Sequence, residues 1–101
     1  MPKFLFSYRL PEDYQRSPET AKAWQAWFQS LGTSLTDRGR VLATRAMGNL
    51  DADTQLAGYS VVTAEDLDRA TALAERCPAL RFSGGVEIGT VLEYTEAGSR
   101  P

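Results

Sequence analysis

The sequence predicts an α+β protein in which a four-stranded antiparallel sheet carries two helices on one face. Three observations predict it. Two segments repeat apolar residues at the three-to-four spacing of a helix face. Four shorter segments are rich in β-branched and aromatic residues and bounded by glycine, proline or charge. They fall in the order strand, helix, strand, strand, helix, strand, which is the split βαβ or ferredoxin-like arrangement.

The first strand is "KFLFSYR", residues 3–9, with Phe4, Phe6 and Tyr8 on one side and Leu5 and Ser7 on the other. Residues 10–16, holding Pro11 and several charges, read as a connection. Ser17-Pro18-Glu19-Thr20 is a helix start: a serine N-cap, proline at the first helical position and an acid in the first turn. Trp24, Trp27, Phe28 and Leu31 then line one face, and Gly32 ends the helix. The signal weakens through residues 33–55, where one strand is expected near 40–45, followed by turn chemistry at Gly48-Asn49 and Asp51 to Asp53.

"LAGYSVVT", residues 56–63, is the third strand. Thr63 and Asp66 form a capping-box-like start to the second helix. Ala64, Leu67, Thr71, Ala74 and Cys77 should line its buried face, with Ala70 and Leu73 at the borders and Pro78 as its stop. Gly84-Gly85 marks a turn before the last strand, residues 86–94, whose apolar face is Val86, Ile88, Thr90, Leu92 and Tyr94. Residues 1–95 read as one domain and residues 96–101 as a polar tail.

Both faces of this sheet carry apolar residues. Leu5 opposes Phe4 and Phe6, Val62 opposes Val61 and Tyr59, and Val91 opposes Leu92. A solvated second face should be polar at alternate positions. Each large side chain is worth about 1.5–3 kcal/mol when fully buried, so the uncovered face calls for a partner. The same face of a second copy, related by a two-fold axis, is the simplest cover, so a homodimer is expected.

Composition narrows function mainly by exclusion. The chain has 101 residues, 43% hydrophobic and 24% charged, with a net charge of −2. A pI near 5.0 is not that of a nucleic-acid binder. No apolar run approaches the length of a membrane span or a secretory signal, which points to the cytoplasm and to no membrane partner. Histidine is absent and cysteine occurs once. The commonest general base is therefore missing, and a closed zinc site within one chain is excluded. No cofactor is expected; Asp51-Ala52-Asp53 is only a weak metal signal, and no metal is assigned.

"LAGYSVVTAEDLDRATALAERCP" followed by "GGVEI" resembles the second half of the YCII-related family, which includes the DGPF-motif proteins. The first strand and a helix ending in "SLG" also fit. The resemblance implies a ferredoxin-like protomer paired into a dimeric α/β barrel. Two departures stand out. The DGPF tetrapeptide is absent, its region reading "RAMGNLDADTQ". Relatives with a proposed His–Asp acid–base pair carry the histidine in the first helix; the comparable stretch here is "AWQAWF", the position falls near Trp24, and an indole cannot shuttle protons.

The expected site is a sheet–helix cleft binding a small organic molecule, lined by Trp24, Tyr59, Arg45 and Ser7. The arginines 38, 40 and 45 are the one local concentration of positive charge, and Arg40 and Arg45 have the chemistry to grip a carboxylate or phosphate. A solvated strand edge, or ion pairing with Asp37 or Asp51, is their competing role. Glu87 is the only catalytic candidate: desolvated at an interface, its carboxyl would serve as acid or base. A salt bridge to Arg9 or Arg81 is its alternative. The catalytic residues are otherwise unknown. Two further functional readings stand beside small-molecule binding. One is a non-catalytic regulatory module, since relatives accompany alternative sigma factors. The other is a cofactor-free isomerase or oxygenase with a carboxylate base.

Overall fold

The computed structural model describes residues 1–50 and 53–93. Its elements are β1 (Lys3–Pro11), α1 (Pro18–Leu31), a 3-10 turn (Gly32–Ser34), β2 (Leu35–Arg40), β3 (Thr54–Thr63), α2 (Leu67–Ala74), α3 (Pro78–Arg81) and β4 (Gly85–Val91). The strands lie in the order β2-β3-β1-β4, and every neighbouring pair is antiparallel. The helices cover one face, which makes this the ferredoxin-like α+β fold.

β1 and β3 run down the middle, and their inward residues form the core floor: Phe4, Phe6 and Tyr8 beside Val62, Ser60 and Gly58. Trp27 and Leu31 of α1 close over them, with the rings of Phe6 and Trp27 stacked at 6.2 Å. Ala70, Ala74, Cys77 and Ala79 fill the space under α2 and α3. Their small size lets those helices sit close to the sheet.

The start of α1 forms as its sequence dictates. Ser17 Oγ accepts the Thr20 N–H at 3.1 Å, and Thr20 Oγ1 accepts the Ser17 N–H at 2.9 Å. This reciprocal cap satisfies two otherwise orphaned donors. Pro18 occupies the first turn, and Gly32 follows the helix at φ +56°.

Other expectations shift. β2 lies at Leu35–Arg40 rather than near 40–45. As an edge strand it bonds one neighbour and carries charge, so its sequence does not advertise it. β1 extends to Pro11, and the register of Arg9, Leu10 and Pro11 runs on against β3. The cap of α2 is Asp66, whose side chain accepts the Arg69 N–H at 2.8 Å, while Thr63 stays in β3. The later start turns Ala70 and Ala74 inward and leaves Leu67 47% exposed and Thr71 exposed. The helix ends at Ala74, and Pro78 opens the extra turn α3 instead of stopping α2. β4 ends at Val91, with Leu92 exposed; Tyr94 and the tail lie outside the described residues, as do Asp51 and Ala52.

The second sheet face is mixed. Leu5, Val61, Tyr59 and Val91 stand on it beside Lys3, Ser7, Arg9 and Glu87. Tyr59 is half-buried because its ring lies over Gly39 on β2, where a β-carbon would land inside the ring. Leu5, beside Val61, remains 37% exposed. Among the described residues no helix is long and apolar enough to cross a membrane.

Candidate ligand-binding cleft

A cleft of about 520 Å³ opens between α1 and the inner face of β1, β3 and β2. Its floor is Tyr8, Leu10, Ala57 and Gly58, its helix wall Thr20, Ala21, Trp24 and Phe28, and its rim Tyr14, Arg16, Arg38 and Arg40. This is the ordinary size and character of a small-molecule site: mostly apolar, with a few convergent polar groups. A smaller hollow of about 190 Å³ adjoins it and shares Leu10, Tyr14, Arg16, Arg40 and Ala57.

Two irregularities in strand pairing shape the cleft. Opposite Leu35 and Asp37 of β2 stand the consecutive residues Val62 and Val61, so Thr36 is an extra residue. Its hydroxyl donates to the Val61 carbonyl at 3.1 Å. Such a bulge flips every later side chain to the other face. Asp37 therefore joins the outer face with Val61, while Arg38 and Arg40 turn toward the helix beside Ser60 and Gly58. Unbulged alternation from Leu35 would have sent both arginines outward. The second bulge, at Ala57 opposite Tyr8 and Arg9, adds a small residue to the floor.

The aromatic wall is tightly braced. Tyr8 meets Trp24 edge-on at 5.1 Å and Trp27 at 5.5 Å, and Trp24 lies 5.8 Å from Phe28. Trp24 donates its indole N–H to the Tyr14 hydroxyl at 3.2 Å. The Arg38 guanidinium sits 4.5 Å from the centre of the Phe28 ring, within the range of a cation–π contact. Beneath them the Tyr8 hydroxyl donates to Ser60 Oγ at 2.7 Å. Burial raises the Tyr8 phenol well above its ordinary value of 10.0; the Ser60 hydrogen bond and Arg38 pull it down by less. The phenol stays a proton donor.

The charged groups lining the cleft are all guanidiniums: Arg16, Arg38 and Arg40. None of the three pairs with a carboxylate within the described residues. The lining can hold and polarise a ligand, but it presents no carboxylate, imidazole or thiol to take a proton. No cluster of three metal-ligating side chains occurs among the described residues.

Of the residues expected at the site, the structure places only Trp24 in this cleft. Ser7 and Tyr59 pair directly with each other on the outer face, because side chains alternate along a strand and Tyr8 is the neighbour that points in. Arg45 lies in an exposed stretch and lines neither hollow. Glu87 is exposed on the outer face beside Ser7, with the sheet between it and the cleft. Arg40, the other arginine considered for gripping an anion, lines the cleft and is exposed. Arg38, Tyr14, Arg16 and Phe28 were not foreseen there. For Arg38 and Arg40 the deciding feature is the Thr36 bulge, which no residue in "SLTDRGR" announces.

Fold and cleft together define a small ferredoxin-like domain with an arginine-rimmed, aromatic-walled pocket between sheet and helix. The chain belongs to the YCII-related domain family, whose profile matches residues 1–95. Among solved structures it is similar to the 5-chloro-2-hydroxyhydroquinone dehydrochlorinase TftG from Burkholderia phenoliruptrix AC1100, in complex with 2,5-dihydroxybenzoquinone. That likeness has a TM-score of 0.60 at 17% identity and covers 96% of this chain and 99% of that one. At such identity it concerns the fold. No curated protein matches the sequence.

Proposed function

We propose that this chain is a cytoplasmic, homodimeric binding protein that takes a small organic molecule into the cleft between α1 and the sheet. The single observation that carries the reading is the convergence of three guanidiniums on an apolar, aromatic-walled hollow. Trp24 is the residue of the expected site that belongs to it; Tyr59, Ser7 and Arg45 take no part. The similar dehydrochlorinase is a protein of the same fold in complex with a small molecule, which agrees with a ligand here. Pairing through the outer face is supported by the apolar group Leu5, Val61, Tyr59 and Val91, and the buried thiol of Cys77 suits the cytoplasm.

A thermal-shift screen against small metabolites tests the binding. A ligand at a hundred times its Kd adds about 2.7 kcal/mol of stability. Hits are expected to raise the melting midpoint of the wild type and to do so far less in Trp24→Ala. Hits that move both proteins equally, or a screen with none, would overturn the reading.

A further inference from the structure

We infer that the occupant of this cleft is an aromatic or conjugated organic anion, its charged group held by Arg38 and Arg40 and its flat body laid along Trp24 and Phe28. The inference rests on the reading of the cleft as a ligand site and adds the chemical class of the ligand.

Charge is sorted by face along β2. Asp37 stands on the outer face while Arg38 and Arg40 stand on the inner one: alternation separates them, and the Thr36 bulge decides which face each takes. In a chain of net charge −2, this brings two cations to the cleft, Arg16 before α1 adds a third, and the lining of this larger hollow holds no acid. All three are exposed at the rim, where solvent screens their mutual repulsion and an anion entering the cleft can reach them. The N-terminal turn of α1 adds to the same field: Ser17, Thr20 and Ala21 line the cleft, and a helix N-terminus carries a partial positive charge. Glu19, the acid of that turn, is absent from the lining.

The second half of the inference comes from the wall. An inorganic anion would use the guanidiniums and leave the apolar helix wall of Ala21, Trp24 and Phe28 uncovered. A flat conjugated body uses both. Arg38 already stacks on Phe28, which orders its planar fork for a carboxylate or an enolate oxygen pair. Arg16 and Arg40 line both hollows while Glu12 lines only the smaller one, so the charged end of the ligand lies on the side of the larger cleft.

Calorimetric titration of the full chain with 2-naphthoate, its neutral counterpart 2-naphthamide and inorganic phosphate tests this. The naphthoate is expected to bind more tightly than the amide, and to weaken about tenfold to a hundredfold in Arg38→Met or Arg40→Met. Amide binding should be unchanged in both variants, which also reports that they are folded. Equal binding of naphthoate and amide would overturn the anion and leave the cleft reading standing. Phosphate binding that excludes naphthoate would overturn the aromatic body. No binding of any probe would overturn this inference, and a failed metabolite screen besides would remove the cleft reading with it.

Discussion

Replacing Tyr8 by phenylalanine removes one oxygen from beneath the cleft and keeps the ring. That oxygen bridges β1 and β3 by donating to Ser60 Oγ at 2.7 Å, and Ser60 has no exposed surface. Trp24, Trp27 and Phe28 still hold the ring at their edges, so packing barely changes. What is lost is the bond, and a buried hydroxyl left without its partner costs about 1–3 kcal/mol. Ser60→Ala strands the phenol instead, at a similar cost. The double variant leaves neither group unmet. It should lose less than the sum of the singles, by about 1–2 kcal/mol. In a domain of this size each kcal/mol moves the melting midpoint by about 4–8 °C. Urea midpoints and thermal melts of the four proteins would measure the cycle. Costs that add to within about 0.5 kcal/mol would refute the reasoning, because each hydroxyl would then be satisfied independently of the other.

Burial pushes the Cys77 thiol from 9.0 up to about 11, although a hydrogen bond with the Ala79 backbone pulls it the other way. Between those values the unfolded chain gives up the proton that the folded chain keeps. Stability should therefore fall as pH rises from 9 to 11, by on the order of 2 kcal/mol, and fall less in Cys77→Ala; urea midpoints across that range would show it. Tyr8, also raised by burial, adds a loss of the same sign at the alkaline end. A β-carbon at Gly84 would run into the backbone oxygens of Arg9 and Ala79, so Gly84→Ala should cost about 1–3 kcal/mol by denaturant midpoint. Leu5→Lys places a charge in the apolar part of the outer face and should shift sedimentation from dimer toward monomer. A wild type that sediments as a monomer at micromolar concentration would remove the homodimer.

α1 shows what can be read without coordinates. Its serine cap, its proline, its aromatic stripe and its terminal glycine are all local, each acting within a turn or two of itself. β1 and β3, the central strands, were legible in the same way from alternation and β-branched or aromatic residues, and so was the edge strand β4, whose Val86, Ile88 and Thr90 alternate behind a Gly-Gly turn. β2 was not, since an edge strand of charged residues resembles a loop until a neighbour bonds to it. α2 was displaced because Thr63 and Asp66 are both competent caps. The hydrogen bonds of β3 claimed the first and left the second.

The candidate site divides along the same line. Sequence by itself determined the fold class, the stripe that carries Trp24, the absence of histidine chemistry and the gathering of arginines in one short stretch. Tertiary structure alone decided which of those arginines serve the cleft. A strand has two faces and an inserted residue exchanges them, so the fate of Arg38 and Arg40 hangs on Thr36 having no partner across β3. The same parity sends Ser7 and Tyr59 to the far side and brings Tyr8 beneath the pocket. Residue type is written in the chain; side-chain direction on a strand is set by pairing with segments tens of residues away.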